Sequence, residues 1–270
     1  MDILALSPLY GRFERSVQYA GELAARINAS LTALYVSEPI PVAATPMAIP
    51  EIYTLASDLA RAAAETAPAF EKWAQGLGIL HFRWVVAEGY LGNALAQLSS
   101  EHDLLVLESG EGVTWGSPGT LGRIALTSGS PCLIVPQGYA GTALVDTVAL
   151  AWNGSVEAMR AIHAALLLIK RAKKVLLIHG ERKESFTSVL WRPDLTIEDY
   201  LAMHEIVFER QHFDASGETA GRELLKVAQN AKADLLVMGA YGHTRFSEWM
   251  LGGATLYVLE HATMPILLRH

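Results

Sequence analysis

The chain has 270 residues, 51% of them hydrophobic and 18% charged, with a formal net charge of −7. That length suits two domains of ordinary size, with apolar material for substantial cores and too little charge for disorder. The acidic balance argues against a general nucleic-acid binder, apolar runs such as Ala164–Ile169 are core-sized rather than membrane-spanning, and Met1-Asp2-Ile3-Leu4 lacks the basic region of a signal peptide.

In chain order, Asp2–Leu6 reads as a short apolar strand, and Leu31–Tyr35 as a second. An insertion from Pro39 to Pro50, rich in Pro and Ala, reads as a surface loop, and a helix follows from about Ile52 to Gln75. Asp103–Leu107 is a third buried run, and Pro131–Val135 closes the first half. The single cysteine, Cys132, excludes an internal disulfide framework and fits a reducing cytoplasm; between Pro131 and Leu133 it reads as a small core residue. Gly138–Thr142 reads as a linker, which places the domains at 1–140 and 141–270.

In the second half, strands are expected near 147–152, 174–179, 205–213, 234–239 and 265–269. Helices are expected near 155–171, 217–231 and 253–262, with a short turn near 247–251. Apolar strands alternating with amphipathic helices imply a parallel sheet covered on both faces. The two halves also repeat. Asp2–Leu6 aligns with Asp146–Leu150, and Leu31–Tyr35 with Val175–His179, both at an offset of 144. The fold class is therefore α/β, two Rossmann-like five-stranded domains. Charge is uneven: residues 1–142 hold 7 basic and 13 acidic side chains (net −6), residues 143–270 hold 14 and 15 (net −1), so the second half repels a polyanion less.

The most informative run is Met238-Gly239-Ala240-Tyr241-Gly242, directly after the strand Asp234–Val237, followed nine residues later by Gly252-Gly253-Ala254-Thr255. Glycines let backbone N–H groups approach an anion, and the next helix adds partial positive charge at its amino end. In parallel sheets ligands lie beyond the carboxyl ends of strands, which is where this run and Trp152-Asn153-Gly154-Ser155 both fall. Asn153 offers a donor and an acceptor for an adenine edge; alternatively Asn153 and Ser155 only turn the chain and cap the next helix. His243 and Arg245 are candidates for phosphate contact or for plain solvated loop residues, and Trp152, Trp191 and Trp249 for pocket lining or ordinary packing.

Other chemistry is missing from the pattern. There is no Gly-x-Ser-x-Gly elbow and no Walker-type Gly-Lys-Ser/Thr. No histidine pair stands at i, i+4 beside carboxylates, and His204 and His212, bracketing one expected strand, read as surface or pocket-rim residues rather than metal ligands.

The duplication and the glycine run together resemble the universal stress protein family in its tandem two-domain form, over nearly the whole chain. The resemblance implies an adenine nucleotide alpha hydrolase-like fold, with the halves packed as an intrachain pseudo-dimer through their last strands, here Leu133–Val135 and Ile266–Leu268; this layout removes one common reason for dimerisation, while exposed faces stay open to a homodimer. Nucleotide-binding members show Gly-x-x-Gly, nine residues, then Gly followed by Ser or Thr. Here Gly239, Gly242 and Gly252 fill the glycine places and Gly253 stands in the hydroxyl place, with Thr255 two residues on. An Asp ending the first strand meets adenine in the family; Asn153 holds that place, and His179-Gly180 would flank the base. The implied ligand is ATP with Mg, and the implied site is Asn153, His179, Gly180, Met238, Gly239, Gly242, His243, Arg245, Gly252, Gly253, Ala254 and Thr255.

The first half departs from this pattern. Its loop from strand Asp to strand Pro spans 28 residues (103 to 131) against 31 (234 to 265), Glu108 and Glu111 would oppose a phosphate, and Leu9 stands at the equivalent of Asn153. It reads as an emptied site. Two functions stay open: a cytoplasmic stress-response protein whose second half binds an adenine nucleotide, at most a slow ATPase since no general base stands near the loop, or a nucleotide-free dimerising scaffold of the same fold. An adenylating or pyrophosphatase-like enzyme fits less well.

Overall fold

A computed structural model describes residues 1–38, 49–111, 113, 115–180, 196–213, 218–240 and 252–270. The chain divides into two compact units, Met1–Ala143 and Leu144–His270.

The first unit runs β1 (Asp2–Ser7), α1 (Arg15–Ile27), β2 (Ser30–Ser37), α2 (Ile49–Ala64), α3 (Ala67–Gly76), β3 (Phe82–Glu88), α4 (Leu91–Leu98), a 3-10 turn (Ser99–Glu101), β4 (Leu104–Glu108), α5 (Pro118–Thr127) and β5 (Cys132–Val135). Its strands lie in the order β3-β2-β1-β4-β5, all parallel. Central strands are apolar along their length because helices cover both faces; Ile3 to Leu6 and Leu104 to Leu107 are fully buried. Cys132 is buried too, as a core residue. The single helix expected over 52–75 is two helices. Pro68, in the first turn of α3, lacks the N–H that a continuous helix would need there, and the chain breaks at Glu65-Thr66.

The second unit runs β6 (Thr147–Trp152), α6 (Val156–Arg171), β7 (Lys174–His179), α7 (Ile197–Met203), β8 (Glu209–His212), α8 (Glu218–Asn230), β9 (Leu235–Gly239), α9 (Gly253–His261) and β10 (Ile266–Arg269). Its parallel order, β8-β7-β6-β9-β10, repeats that of the first unit. The strand expected over 205–213 is shorter. Glu205 has φ +60°, and the exposed strand β8 starts only at Glu209. His204, expected beside that strand, instead ends α7, with its ring 4.6 Å from that of Tyr200. Among the described residues no helix is long and apolar enough to cross a membrane.

Strand register moves the repeat by one residue. Ile3 faces Leu104 while Val148 faces Leu235, an offset of 145 in the first strand. Ser30 and Lys174 begin the second strands at an offset of 144. One residue fewer joins β6 to β7, and the counterpart of Asn153 is Pro8 rather than Leu9.

Candidate functional site

In the second unit the carboxyl ends of β6, β7 and β9 share one sheet edge because the strands are parallel. α9 leads into parallel β10, so its amino end faces that same edge.

At the end of β6 the chain turns through Gly154, at φ +78°. Asn153 Oδ1 accepts the Ser155 N–H at 3.1 Å, and Ser155 Oγ accepts the Ala158 N–H at 3.1 Å. The turn-and-cap role of both residues is therefore in place. Val156, next in the chain, is 58% exposed.

Gly239 ends β9 against the first turn of α6. A Cβ there would stand 2.5 Å from Ala158 N and 2.6 Å from the Glu157 carbonyl carbon, so helix and strand meet backbone to backbone. Only glycine fits, for a packing reason independent of any ligand. Met238 and Ala240 on either side are buried.

α9 starts at Gly253 with Gly252 as its N-cap, and no side chain caps it. Gly252 and Gly253 are exposed and Ala254 is half-buried, and no atom of the described residues stands within 4 Å of a Cβ on Gly252. Among the described residues, no side chain takes up the first N–H groups of this helix. Thr255 is only 4% exposed, so its hydroxyl does not replace the one missing at Gly253. Gly242, His243 and Arg245 lie outside the described residues, as do the turn expected near 247–251, Trp191 and Trp249.

At the end of β7, His179 is half-buried, and its Nε2 is 3.4 Å from Glu198 Oε1 without a hydrogen bond. Arg210 Nη2 lies 3.5 Å from the same oxygen. Burial pushes the His179 imidazole below its ordinary 6.5, Glu198 opposes this, and Arg210 and His212 add to it. Gly180 donates its N–H to Trp152 O at 3.0 Å, and the Phe213 ring lies against it, 3.2 Å from where a Cβ would be. Glu198, Arg210 and Phe213 had no place in the sequence reading. The signal for Glu198 was present in Thr196-Ile197-Glu198-Asp199, whose ends form a reciprocal capping box that starts α7. Among the described residues no group of three His, Cys, Asp or Glu is placed to hold a metal ion.

The corresponding edge of the first unit is built differently. Glu108, expected to oppose a phosphate across the loop, turns inward, and its Oε2 accepts the Ser16 N–H at 3.3 Å at the start of α1. Burial raises its carboxyl above the ordinary 4.5, and Glu14 adds to this against the Ser16 and Arg15 N–H groups and the Arg15 charge. The following loop bonds to itself: Gly110 N–H to Gly116 O at 3.1 Å, Val113 N–H to Gly110 O at 3.3 Å, and Gly116 N–H to Val113 O at 2.9 Å. Tyr10 packs edge-on against Tyr35 with ring centres 5.3 Å apart.

Residues 145–270 match the model of the universal stress protein family. A universal stress protein of Synechocystis is 23% identical over 203 residues, covering 72% of this chain and 67% of the relative. Among solved structures, a universal stress protein from Archaeoglobus fulgidus superposes with a TM-score of 0.69 at 15% identity, over 99% of this chain and 95% of that one. A functionally unknown protein from Pseudomonas aeruginosa gives a TM-score of 0.59 at 14% identity, over 99% and 92%. At these identities the structural likeness establishes the fold, and the family rests on the sequence match: residues 145–270 form a domain of the universal stress protein family.

Proposed function

We propose that the second unit binds an adenine nucleotide, ATP brought with its Mg, and that the chain acts as a cytoplasmic tandem stress-response protein whose first unit has lost this capacity. The observation that carries the proposal is the amino end of α9, which no side chain of the described residues caps and where Gly252 and Gly253 are exposed, at the sheet edge that also bears Asn153 and Gly239. A helix start of this kind holds phosphate oxygens by backbone N–H groups and by its dipole. The residues fit such a ligand through backbone more than through side chains, since Thr255 is buried and the Asn153 oxygen is engaged. The Asn153 amide and the backbone at His179-Gly180 are the groups offered to the base. ATP binding here is a holding function rather than rapid turnover.

The second reading, a nucleotide-free scaffold, is favoured by Gly239, whose lack of a side chain packing alone explains.

The test compares Mg-ATP protection from heat in wild type and in Gly252→Asp. Asp at an N-cap stabilises a helix by a few tenths of a kcal/mol over Gly, yet its carboxylate would repel a phosphate. The expected result is a rise in Tm with Mg-ATP for wild type, and for the variant an equal or higher starting Tm with no rise. No protection of wild type, and no nucleotide released when the purified protein is denatured, would leave the scaffold reading standing.

A further inference from the structure

The opposite, amino edge of the first unit's sheet carries a polar cavity of about 410 Å3. This size falls within the range of small-ligand sites. Strand register builds it. Asp2 pairs with Ser30, and Thr32 pairs with Arg83. Paired residues of parallel strands share a face, as do residues two apart on one strand, so these four side chains stand on one face of the sheet.

The floor is internally satisfied. His102 bonds through Nδ1 to Leu98 O at 2.7 Å and through Nε2 to Thr32 Oγ1 at 3.1 Å, and the Ser30 hydroxyl donates to Asp2. The charge of the rim is split. On the β3 side stand Arg83 and His81, and on the β1 side stand Asp2 and Glu101, all four exposed. The Ser30 hydroxyl, with the chain's amino group, His102 and Arg83, holds the Asp2 carboxyl below the usual carboxylate range against the opposing effect of burial. Asp2 is therefore ionised at neutral pH. Arg83 acts on Asp2 across the cavity, with the Asp2 carboxylate hydrogen-bonded to Ser30. Their strands stand two spacings apart, about 10 Å at the backbone.

A guanidinium facing a pair of carboxylates across a ligand-sized gap selects a molecule with opposite charges at its two ends. A carboxylate takes the guanidinium fork in bidentate fashion. The α-amino group of an amino acid lies too close to its own carboxylate to reach the far rim, whereas a side-chain ammonium several methylenes away does reach. We propose that this cavity binds a small zwitterion of the basic amino-acid class, with its carboxylate on Arg83 and its side-chain ammonium at Asp2 and Glu101. The site lies in the first unit and stands independently of nucleotide binding in the second.

The test is calorimetric titration of the full chain with L-lysine, with glutarate and cadaverine as probes that each carry one kind of charge. L-Lysine should bind, and both control probes should bind at least about tenfold more weakly. Arg83→Gln and Glu101→Gln, both at exposed positions, should each weaken L-lysine binding by about tenfold or more while leaving the unliganded Tm unchanged. Lack of L-lysine binding up to about 10 mM, equal binding of cadaverine, or affinity untouched by Arg83→Gln would each overturn the proposal.

Discussion

Glu108 and Gly239 occupy the same place in the two units, the fifth and last residue of the strand beside β1 or β6. In the first unit the helix after the first strand starts without a cap of its own, because Glu14 makes no side-chain bond, and Glu108 reaches across from β4 to accept the Ser16 N–H. In the second unit α6 is capped locally by Ser155, and Gly239 lets that first turn settle directly on β9. One junction is closed by a buried carboxylate and a self-bonded loop, the other by bare backbone. Under the proposed function, this difference is what makes the second edge rather than the first the one to receive an anion. A phosphate at the first unit would meet loop N–H groups already engaged, and in the proposed site of the second it would meet the exposed, uncapped start of α9.

The largest test of this contrast is Gly239→Val. Two backbone atoms of α6 lie well inside contact distance of any Cβ there, and neither can rotate away. Overpacking of this kind costs about 3 kcal/mol, read as an early unfolding transition in urea. Gly252→Val, facing open space, should leave the same transition nearly in place. If the two variants were equally stable, Gly239 would not be a packing glycine and the contrast with Glu108 would lose its basis.

The parallel order, the duplication and most strand limits were legible because buried parallel strands are continuous apolar runs, and such runs survive in a single sequence. Asp146–Leu150 and Asp234–Val237 needed nothing more. The one-residue shift that pairs Pro8 with Asn153 was not legible, because it arises from the length of the connection between strands, while the aligned aspartates Asp2 and Asp146 look equivalent. In the structure it is Asp2 and Thr147 whose carbonyls receive the N–H of Asp103 and Asp234. β8 was overextended for a related reason. Ile206 and Val207 look like strand residues, but Glu205 in the left-handed region keeps the chain in the turn after α7. Of the candidate site, the glycines were legible and their reasons were not. Gly239 is fixed by α6, an element far from it in sequence, and the inward turn of Glu108 depends on Ser16, 92 residues away.

A smaller effect is expected from Ser155→Ala. Loss of the bond to the Ala158 N–H should cost about 1 kcal/mol, measured by urea unfolding. Ser16→Ala removes only a hydroxyl bonded to Leu6 O and leaves the backbone N–H that Glu108 caps. If Ser155→Ala proved silent, α6 would have another cap, and the two helix starts would be less different than they look.

The finest test is Glu108→Gln, which keeps an acceptor for the Ser16 N–H and removes the charge. Burial, reinforced by Glu14, raises the carboxyl above its ordinary 4.5, so the folded chain holds this proton more tightly than the unfolded chain does. The stability it contributes is then complete below the ordinary value and is lost as pH rises through the folded one. Wild type should therefore stand best against the variant in acid and lose ground toward neutrality, by a fraction of the total stability, in urea unfolding followed across that range. A slope of the opposite sign would carry its own meaning. The start of α1 would then stabilise the carboxylate more than burial penalises it, and Glu108 would serve the first unit as a fixed internal anion, in the role that a bound phosphate would have at α9.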